Sequence, residues 1–139
     1  MSSLRDKVAL VTGGSRGIGR AIALALADEG VHVAFTYKSA ADAAKKVVIQ
    51  IEEKNQRAVA FQSDAKDLNS AVQVVDSVVK EFQRLDILVN NAGITRDTLI
   101  MRMSEQDWDE VLETNLKSAF NFSKAVCRQM MSQREGKII

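Results

Sequence analysis

The sequence predicts an α/β fold in which a doubly wound parallel sheet carries helices on both faces. Short apolar segments typical of buried strands alternate with segments whose apolar residues recur at helical spacing, almost without exception along the 139 residues. Strict alternation of this kind favours parallel strands joined by helical crossovers. The first strand also leads directly into a glycine-rich turn and a helix. We therefore expect one domain, residues 1–139, with the strand order 3-2-1-4-5.

Alternating strands and helices account for nearly all of the chain. The apolar runs predict strands at residues 8–12, 31–37, 58–61, 87–89 and 137–139. Apolar periodicity predicts helices from about 18 to Gly30, 40 to 54, 68 to 82 and 104 to 133. Gly30 and Gly136 are expected to stop the first and last helices, and Ser104 is a suitable N-cap. Because the residues end at Ile139, we expect the sheet to be truncated within its fifth strand.

Composition and charge exclude several classes of protein. A formal net charge of +1 provides no electrostatic field to attract nucleic acid or a membrane surface. The single cysteine, Cys127, is expected in the core and cannot build a disulfide framework, which favours a reducing compartment. The amino-terminal residues lack the apolar core expected of a signal peptide, and the pattern predicts no membrane-spanning run and no metal-ligand spacing of His, Cys and carboxylates. We expect a soluble, cytoplasmic protein that holds no metal.

The run from Val8 to Gly19 is the strongest functional motif. Its loop reads Gly13-x-x-x-Gly17-x-Gly19 between a strand and a helix. Glycines let the backbone approach a ligand closely, and the free N–H groups at the helix start point at anionic oxygens, so the loop predicts a nucleotide phosphate site. The segment 90–93, Asn-Asn-Ala-Gly, follows the fourth strand, which neighbours the first in a doubly wound sheet. Both motifs should therefore line one crevice.

The end of the second strand bears on the choice of dinucleotide. NAD-binding units place an acid there to hold the ribose 2′-hydroxyl, whereas this strand is followed by no acid until Asp42. Arg16 in the loop and Lys38 after the strand offer two cations where a 2′-phosphate would lie. The alternative is that both are solvated surface charges. The pattern favours NADP(H) over NAD(H).

Two polar side chains each allow two interpretations. Asp64 follows the third strand and could cap the helix that begins near Asp67 or hydrogen-bond an adenine amino group. Asn115 falls within the apolar stripe of the last helix, where an unsatisfied buried amide is costly. It could be a satisfied core amide that pins the helix, which periodicity alone favours, or an amide that holds water or backbone at a reaction centre. The stripe comprises Trp108, Val111, Leu112, Leu116, Ala119 and Phe120.

Together these motifs resemble the short-chain dehydrogenase/reductase family, and the resemblance covers essentially the whole chain. They are Thr12-Gly13-x-x-x-Gly17-x-Gly19, Asp64, Asn90-Asn91-Ala92-Gly93 and Asn115. Residues 93–103 and 113–116, with Trp108, are similar to the 3-oxoacyl-(acyl-carrier-protein) reductases of fatty-acid synthesis. The resemblance implies a Rossmann-type fold and an oxidoreductase that uses NADP(H).

The resemblance also implies a role for each matching residue. Asn115 matches the family's catalytic asparagine, which favours its functional interpretation. Arg16 and Lys38 match the positions that read the 2′-phosphate, and Asp64 and Ala65 would flank the adenine. The cofactor ribose would be supported by Asn91, Ala92 and Gly93. The pyrophosphate and ribose would be lined by Gly13, Ser15, Arg16, Gly17, Ile18 and Gly19.

Two kinds of partner follow from the same resemblance. Arg134 matches a basic position with which family members dock the acidic acyl carrier protein that bears the 3-oxoacyl thioester. The long helix from Ser104 onward is the element with which members pair their subunits into homotetramers. The resemblance therefore implies a carrier-protein partner and a homo-oligomer.

The chain departs from the family in its proton donor. Members polarise the substrate carbonyl with a Ser and supply the proton from a Tyr that precedes a Lys by four residues, but the only tyrosine, Tyr37, is followed there by Ala41. Carbonyl reduction needs a proton for the developing alkoxide as well as a hydride. We therefore expect the amino-terminal half of such a reductase, inactive alone. The alternatives are a related short-chain reductase of another carbonyl substrate, or a non-catalytic nucleotide-binding or regulatory domain.

Overall fold

The computed structural model describes residues 3–139, within which five strands alternate with four α-helices. The strands are β1 (Val8–Val11), β2 (His32–Tyr37), β3 (Ala58–Gln62), β4 (Ile87–Val89) and β5 (Lys137–Ile138). The helices are α1 (Gly17–Asp28), α2 (Ala41–Glu52), α3 (Leu68–Phe82) and α4 (Glu105–Gln133). A short 3₁₀ turn, Ile100–Arg102, precedes α4. The elements match the predicted ones to within a few residues at each end.

The sheet is parallel throughout and has the order β3-β2-β1-β4-β5. This order confirms the predicted doubly wound, Rossmann-type topology and places its reversal between β1 and β4. Val8 of β1 pairs with His32 of β2, and Ala9 pairs with Ile87 of β4. The loops that follow β1 and β4 therefore lie side by side at the carboxyl edge of the sheet.

The central strand is apolar at every position because its side chains alternate between two cores. Val8 and Leu10 pack on the face covered by α3 and α4, where Phe122 is fully buried. Ala9 and Val11 pack on the face covered by α1 and α2. A strand covered on both faces reads as a continuous apolar run rather than an alternating one.

A buried carboxylate, Asp86, joins the amino ends of β1 and β4. It accepts hydrogen bonds from the Val8 N–H at 2.9 Å and from Nε and Nη2 of Arg84, each at 2.7 Å, and Lys7 Nζ lies 4.0 Å away. Burial alone would raise the pKa of Asp86. The hydrogen bonds from Arg84 and the Val8 N–H, with the positive charges of Arg84 and Lys7, outweigh burial and hold the pKa below its ordinary value.

The last helix has defined stops at both ends. Ser104 Oγ accepts the N–H of the third helical residue at 3.0 Å, which confirms the predicted N-cap. The helix ends because Arg134 adopts a left-handed conformation with φ 56°, so the prediction that Gly136 stops it is wrong. The Gln133 side chain accepts from the Leu85 N–H and donates to the Leu85 carbonyl, both at 2.9 Å. These bonds anchor the end of α4 at the amino edge of the sheet.

The apolar stripe predicted for α4 does not face the core. Leu116 and Phe120 are 67% and 57% exposed, whereas Phe122 and Val126 are fully buried against the sheet. Phe120 and Phe122 are two residues apart, about 200° around the helix, so α4 has two apolar faces and only one covers the sheet. Cys127 is also exposed, which corrects its predicted place in the core. Among residues 3–139, no helix is both long enough and apolar enough to cross a membrane.

Candidate functional site: a crevice at the carboxyl edge of the sheet

A crevice of about 240 Å³ opens where the strands end. Its walls are the segments that follow β1, β2, β3 and β4, together with Thr114 of α4. Loops distant in sequence meet here because parallel strands end at the same edge of the sheet. The predicted site residues that line it are Gly13, Ser15, Arg16, Lys38, Asp64, Ala65, Asn91, Ala92 and Gly93. Gly17, Ile18 and Gly19 form the first turn of α1 beside it.

The glycine loop has the geometry of an anion cradle. Gly13 adopts φ 68°, and its N–H donates to Thr36 Oγ1 at 3.1 Å. A Cβ at Gly19 would collide with the Gly13 carbonyl oxygen, so only glycine lets the helix start this close to the loop. Gly17 has φ 57°, and no atom lies within 4 Å of where its Cβ would be. The first N–H groups of α1 lack intrahelical acceptors, and a helix start after a glycine loop suits a phosphate.

Thr12 joins the glycine loop to the segment after β4. Its side chain is buried, and Oγ1 accepts the N–H groups of Asn91 at 3.0 Å and Ala92 at 2.9 Å. In return, Asn91 Nδ2 donates to the carbonyl oxygens of Thr12 at 3.0 Å and Gly13 at 3.1 Å. The Asn91 amide therefore braces the loop. Thr36, whose hydroxyl accepts the Gly13 N–H, was not predicted from the sequence, because a buried threonine at a strand end has no distinguishing pattern.

The position of Asp64 separates its two interpretations. The N-cap of α3 is Asp67, whose carboxylate accepts the Asn69 N–H at 3.0 Å. Asp64 instead closes a turn, with Oδ1 accepting the Lys66 N–H at 3.3 Å, and it lines the crevice beside Ala65. Helix capping is therefore not the role of Asp64, and its contact with an adenine stays a prediction.

Asn115 is half-buried, and both polar atoms of its amide are hydrogen-bonded. Its Oδ1 accepts the Ile94 N–H at 2.7 Å, and its Nδ2 donates to the Ile94 carbonyl at 3.0 Å. A Cβ on Gly93 would lie 3.1 Å from Asn115 Oδ1, so the amide packs directly behind the segment after β4. The geometry shows a satisfied amide that holds backbone beside the crevice. A role for Asn115 at a reaction centre stays a prediction.

Two cations flank the crevice. Arg16 is exposed, stands before α1 with an extended backbone and makes no capping hydrogen bond. Lys38 is exposed at the end of β2, where its carbonyl oxygen accepts a hydrogen bond from Gln62 Nε2 at 3.0 Å. Within the described part of the chain, neither side chain forms an ion pair. Both charges are therefore available to a ligand anion.

Arg134 lies outside this group. It follows the end of α4, beside the amino edge of the sheet, because Gln133 bonds to Leu85 just before β4. The crevice is at the opposite, carboxyl edge. Residues 3–139 also contain no group of three or more His, Cys, Asp or Glu side chains arranged to hold a metal ion.

Comparison with known proteins identifies the family. The family described as short chain dehydrogenase matches residues 7–139. The chain belongs to this family. The 3-oxoacyl-[acyl-carrier-protein] reductase FabG of Staphylococcus aureus (strain Mu50) is 50% identical over 133 residues, which are 96% of this chain and 54% of that protein. The 3-oxoacyl-[acyl-carrier-protein] reductase of Synechocystis is 45% identical over all 139 residues and 56% of its own length. The chain thus spans about half the length of the curated relatives it matches.

Two solved dehydrogenase structures have the same fold. A short-chain dehydrogenase from Burkholderia cenocepacia in complex with NADP superposes with a TM-score of 0.87 and 45% identity, over 91% of this chain and 51% of that one. An NAD⁺-bound xylitol dehydrogenase superposes with a TM-score of 0.93 and 36% identity, over 99% of this chain and 53% of that one. One neighbour carries NADP and the other NAD⁺, so the fold accepts either dinucleotide and the choice depends on local side chains.

Proposed function

We propose that this chain, residues 1–139, is the NADP-binding half of a reductase that converts 3-oxoacyl-(acyl-carrier-protein) to 3-hydroxyacyl-(acyl-carrier-protein) in fatty-acid biosynthesis. The observation that carries the proposal is the crevice itself, in which a glycine cradle and two unpaired cations, Arg16 and Lys38, meet at the carboxyl edge of the sheet. The 50% sequence identity to the 3-oxoacyl-[acyl-carrier-protein] reductase of Staphylococcus aureus supports the choice of substrate. The proposed setting is the cytoplasm.

The residues of the crevice fit an NADP(H) molecule laid across the end of the sheet. The pyrophosphate would lie at the start of α1, over Gly17, where the approach is open. The adenine would lie against Asp64 and Ala65 at the end of β3, and Arg16 and Lys38 would bind the 2′-phosphate. The remaining contacts of the cofactor would come from Gly13, Ser15, Ile18, Gly19, Asn91, Ala92 and Gly93.

Bound NADPH would supply a hydride to the β-carbon of the 3-oxoacyl thioester. Asn115 holds both backbone groups of Ile94, and so fixes the wall next to which the reaction would occur. In the proposed reaction Asn115 supports the proton path. The proton itself would come from a Tyr and Lys pair that these 139 residues do not contain, so we expect no carbonyl reduction by the chain alone.

The proposed partners bind away from the crevice. Arg134 offers an exposed cation for the acidic acyl carrier protein. The exposed apolar side of α4, with Leu112, Leu116 and Phe120, would pair subunits in a homotetramer, because burying such a surface removes apolar area from water.

The cofactor choice is tested by comparing the binding of NADPH and NADH to the wild-type chain and to Arg16→Ala and Lys38→Ala variants. We expect each variant to weaken NADPH binding by about tenfold or more, because each loses a charged contact to phosphate, while NADH binding stays unchanged. Lys80→Ala, which removes an exposed cation at the far end of α3, is the matched control. Equal affinity of the wild type for both dinucleotides would contradict the assignment.

A further inference from the structure

A second asparagine of α4, Asn121, reaches the other wall of the crevice. Its side chain is fully buried on the sheet-facing side of the helix. Nδ2 donates to the Ala65 carbonyl at 3.1 Å. Ala65 follows Asp64 in the loop between β3 and α3, where it lines the crevice. Asn121 therefore links α4 to the segment against which the adenine would lie.

The same loop is held from two other directions. The Ser63 N–H donates to the Tyr37 carbonyl of β2 at 3.0 Å, and the hydroxyls of Ser63 and Ser70 are 2.6 Å apart. The Asp67 N–H donates to the carbonyl of Asp64 at 3.0 Å, which closes the turn. These bonds tie the loop to β2 and α3 only. The Asn121 bond ties the same loop to α4, against whose buried side chains Ala65 also packs.

Stability alone does not account for an amide at position 121. No donor within residues 3–139 reaches Oδ1 of Asn121, although the atom is buried. A buried polar atom without a partner costs free energy, and this cost offsets part of what the hydrogen bond to Ala65 contributes to stability. Asn115, in contrast, has both amide atoms bonded. The one hydrogen bond that the Asn121 side chain makes is directed at the backbone of the crevice wall.

We propose that Asn121 is a positioning residue for the adenine end of the cofactor crevice. This inference rests on the proposed function, since it concerns the adenine half of NADP(H). The helix α4 then holds both walls of the crevice: Asn115 holds the backbone of Ile94 after β4, and Asn121 holds the carbonyl of Ala65 after β3. The affinity for ligands that contain adenine depends on the hydrogen bond from Asn121 to Ala65, whereas the affinity for ligands that contain only the nicotinamide half does not.

The test compares wild type and Asn121→Leu in binding NADPH, 2′,5′-ADP and reduced nicotinamide mononucleotide. We expect the variant to bind NADPH and 2′,5′-ADP about five- to tenfold more weakly, because one positioning hydrogen bond is lost, and to bind the mononucleotide as the wild type does. The variant should unfold at a urea concentration close to that of the wild type, because the lost hydrogen bond to Ala65 is offset by the removal of the unpartnered Oδ1. Backbone amides of Lys66 and Asp67 should exchange their hydrogens faster, since their turn is less firmly held.

Gln133→Met is the matched control, because Gln133 also bonds from α4 to backbone, but at the amino edge of the sheet. It should lower stability and leave the binding of all three ligands unchanged. Unaltered binding of 2′,5′-ADP by Asn121→Leu would overturn the inference, as would equal weakening of all three ligands. Failure of the wild type to bind NADPH would instead overturn the proposed function. In that case the amide exchange still tests the positioning role, because unaltered exchange in Asn121→Leu would overturn it.

Discussion

Replacing Asp86 with alanine tests how the amino edge of the sheet is held together. The side chain is 4% exposed and accepts three hydrogen bonds, from the Val8 N–H and from two nitrogens of Arg84. Asp86→Ala leaves the buried Val8 N–H without its acceptor, which costs about 1–3 kcal/mol. Arg84 is 42% exposed, so water replaces much of its ion pair and the pair adds only about 1 kcal/mol. We expect a total loss of about 2–4 kcal/mol.

The assay is urea unfolding followed by circular dichroism, with Glu135→Ala as the control. Glu135 pairs with Lys7 at 2.8 Å in the same cluster but is 59% exposed, so its removal should change the free energy of unfolding by less than about 0.5 kcal/mol. A loss from Asp86→Ala no larger than that from Glu135→Ala would refute the reasoning, because it would mean that the buried hydrogen bonds contribute nothing.

The difference in unfolding free energy between the wild type and Asp86→Ala should change with pH in a defined direction. The pKa of Asp86 is lowered in the folded protein, since hydrogen bonds and the charges of Arg84 and Lys7 outweigh its burial. A lowered pKa means that stabilisation is fully present above the unfolded carboxyl pKa of about 3.9 and is lost as pH falls through the folded value. The gap between wild type and Asp86→Ala should therefore be constant near neutrality and shrink below about pH 4. A gap that widens on acidification would contradict the sign.

Substitutions at three further positions test the crevice junction and the helix ends. Thr12→Val removes the acceptor of the Asn91 and Ala92 N–H groups and should lower the free energy of unfolding by about 2–4 kcal/mol. Thr12→Ser keeps the hydroxyl and should lower it much less. Equal urea midpoints for the two variants would contradict the contribution of these hydrogen bonds. Gln83→Gly and Arg134→Gly each relieve a left-handed residue, with φ 67° and 56°, and should raise the free energy of unfolding by about 0.5–1 kcal/mol in thermal melts. Only Arg134→Gly should also weaken binding of the acyl carrier protein, and a loss in both variants would contradict a docking role for Arg134.

The fold was predictable because its signals are local. β1 is a continuous apolar run, and the strict alternation of strands and helices leaves a parallel sheet as the consistent topology. The glycine loop was predictable for a similar reason. Gly13 and Gly17 have positive φ, and Gly19 meets the Gly13 carbonyl, so the backbone itself demands glycine at these positions.

The limits of the sequence are clearest along α4. Apolar periodicity placed Leu116 and Phe120 in the predicted stripe and left out Phe122, but the packing of α4 against the sheet buries Phe122 and leaves the other two exposed. The two asparagines of α4 show the same limit. The sequence indicated Asn115 by its place in a motif, whereas nothing local distinguished Asn121, because the partner of its side chain lies 56 residues away in sequence.

The sequence by itself thus determined the order of the elements, the glycine cradle and the two cations beside it, all of which depend on residue type and short-range spacing. Only the tertiary structure decided that Asp67 rather than Asp64 caps α3, that the Asn91 amide braces the glycine loop, and that α4 holds both walls of the crevice. These outcomes depend on hydrogen bonds between segments far apart in the chain. Their partners are chosen when the sheet brings its carboxyl ends together, and no local pattern records that choice.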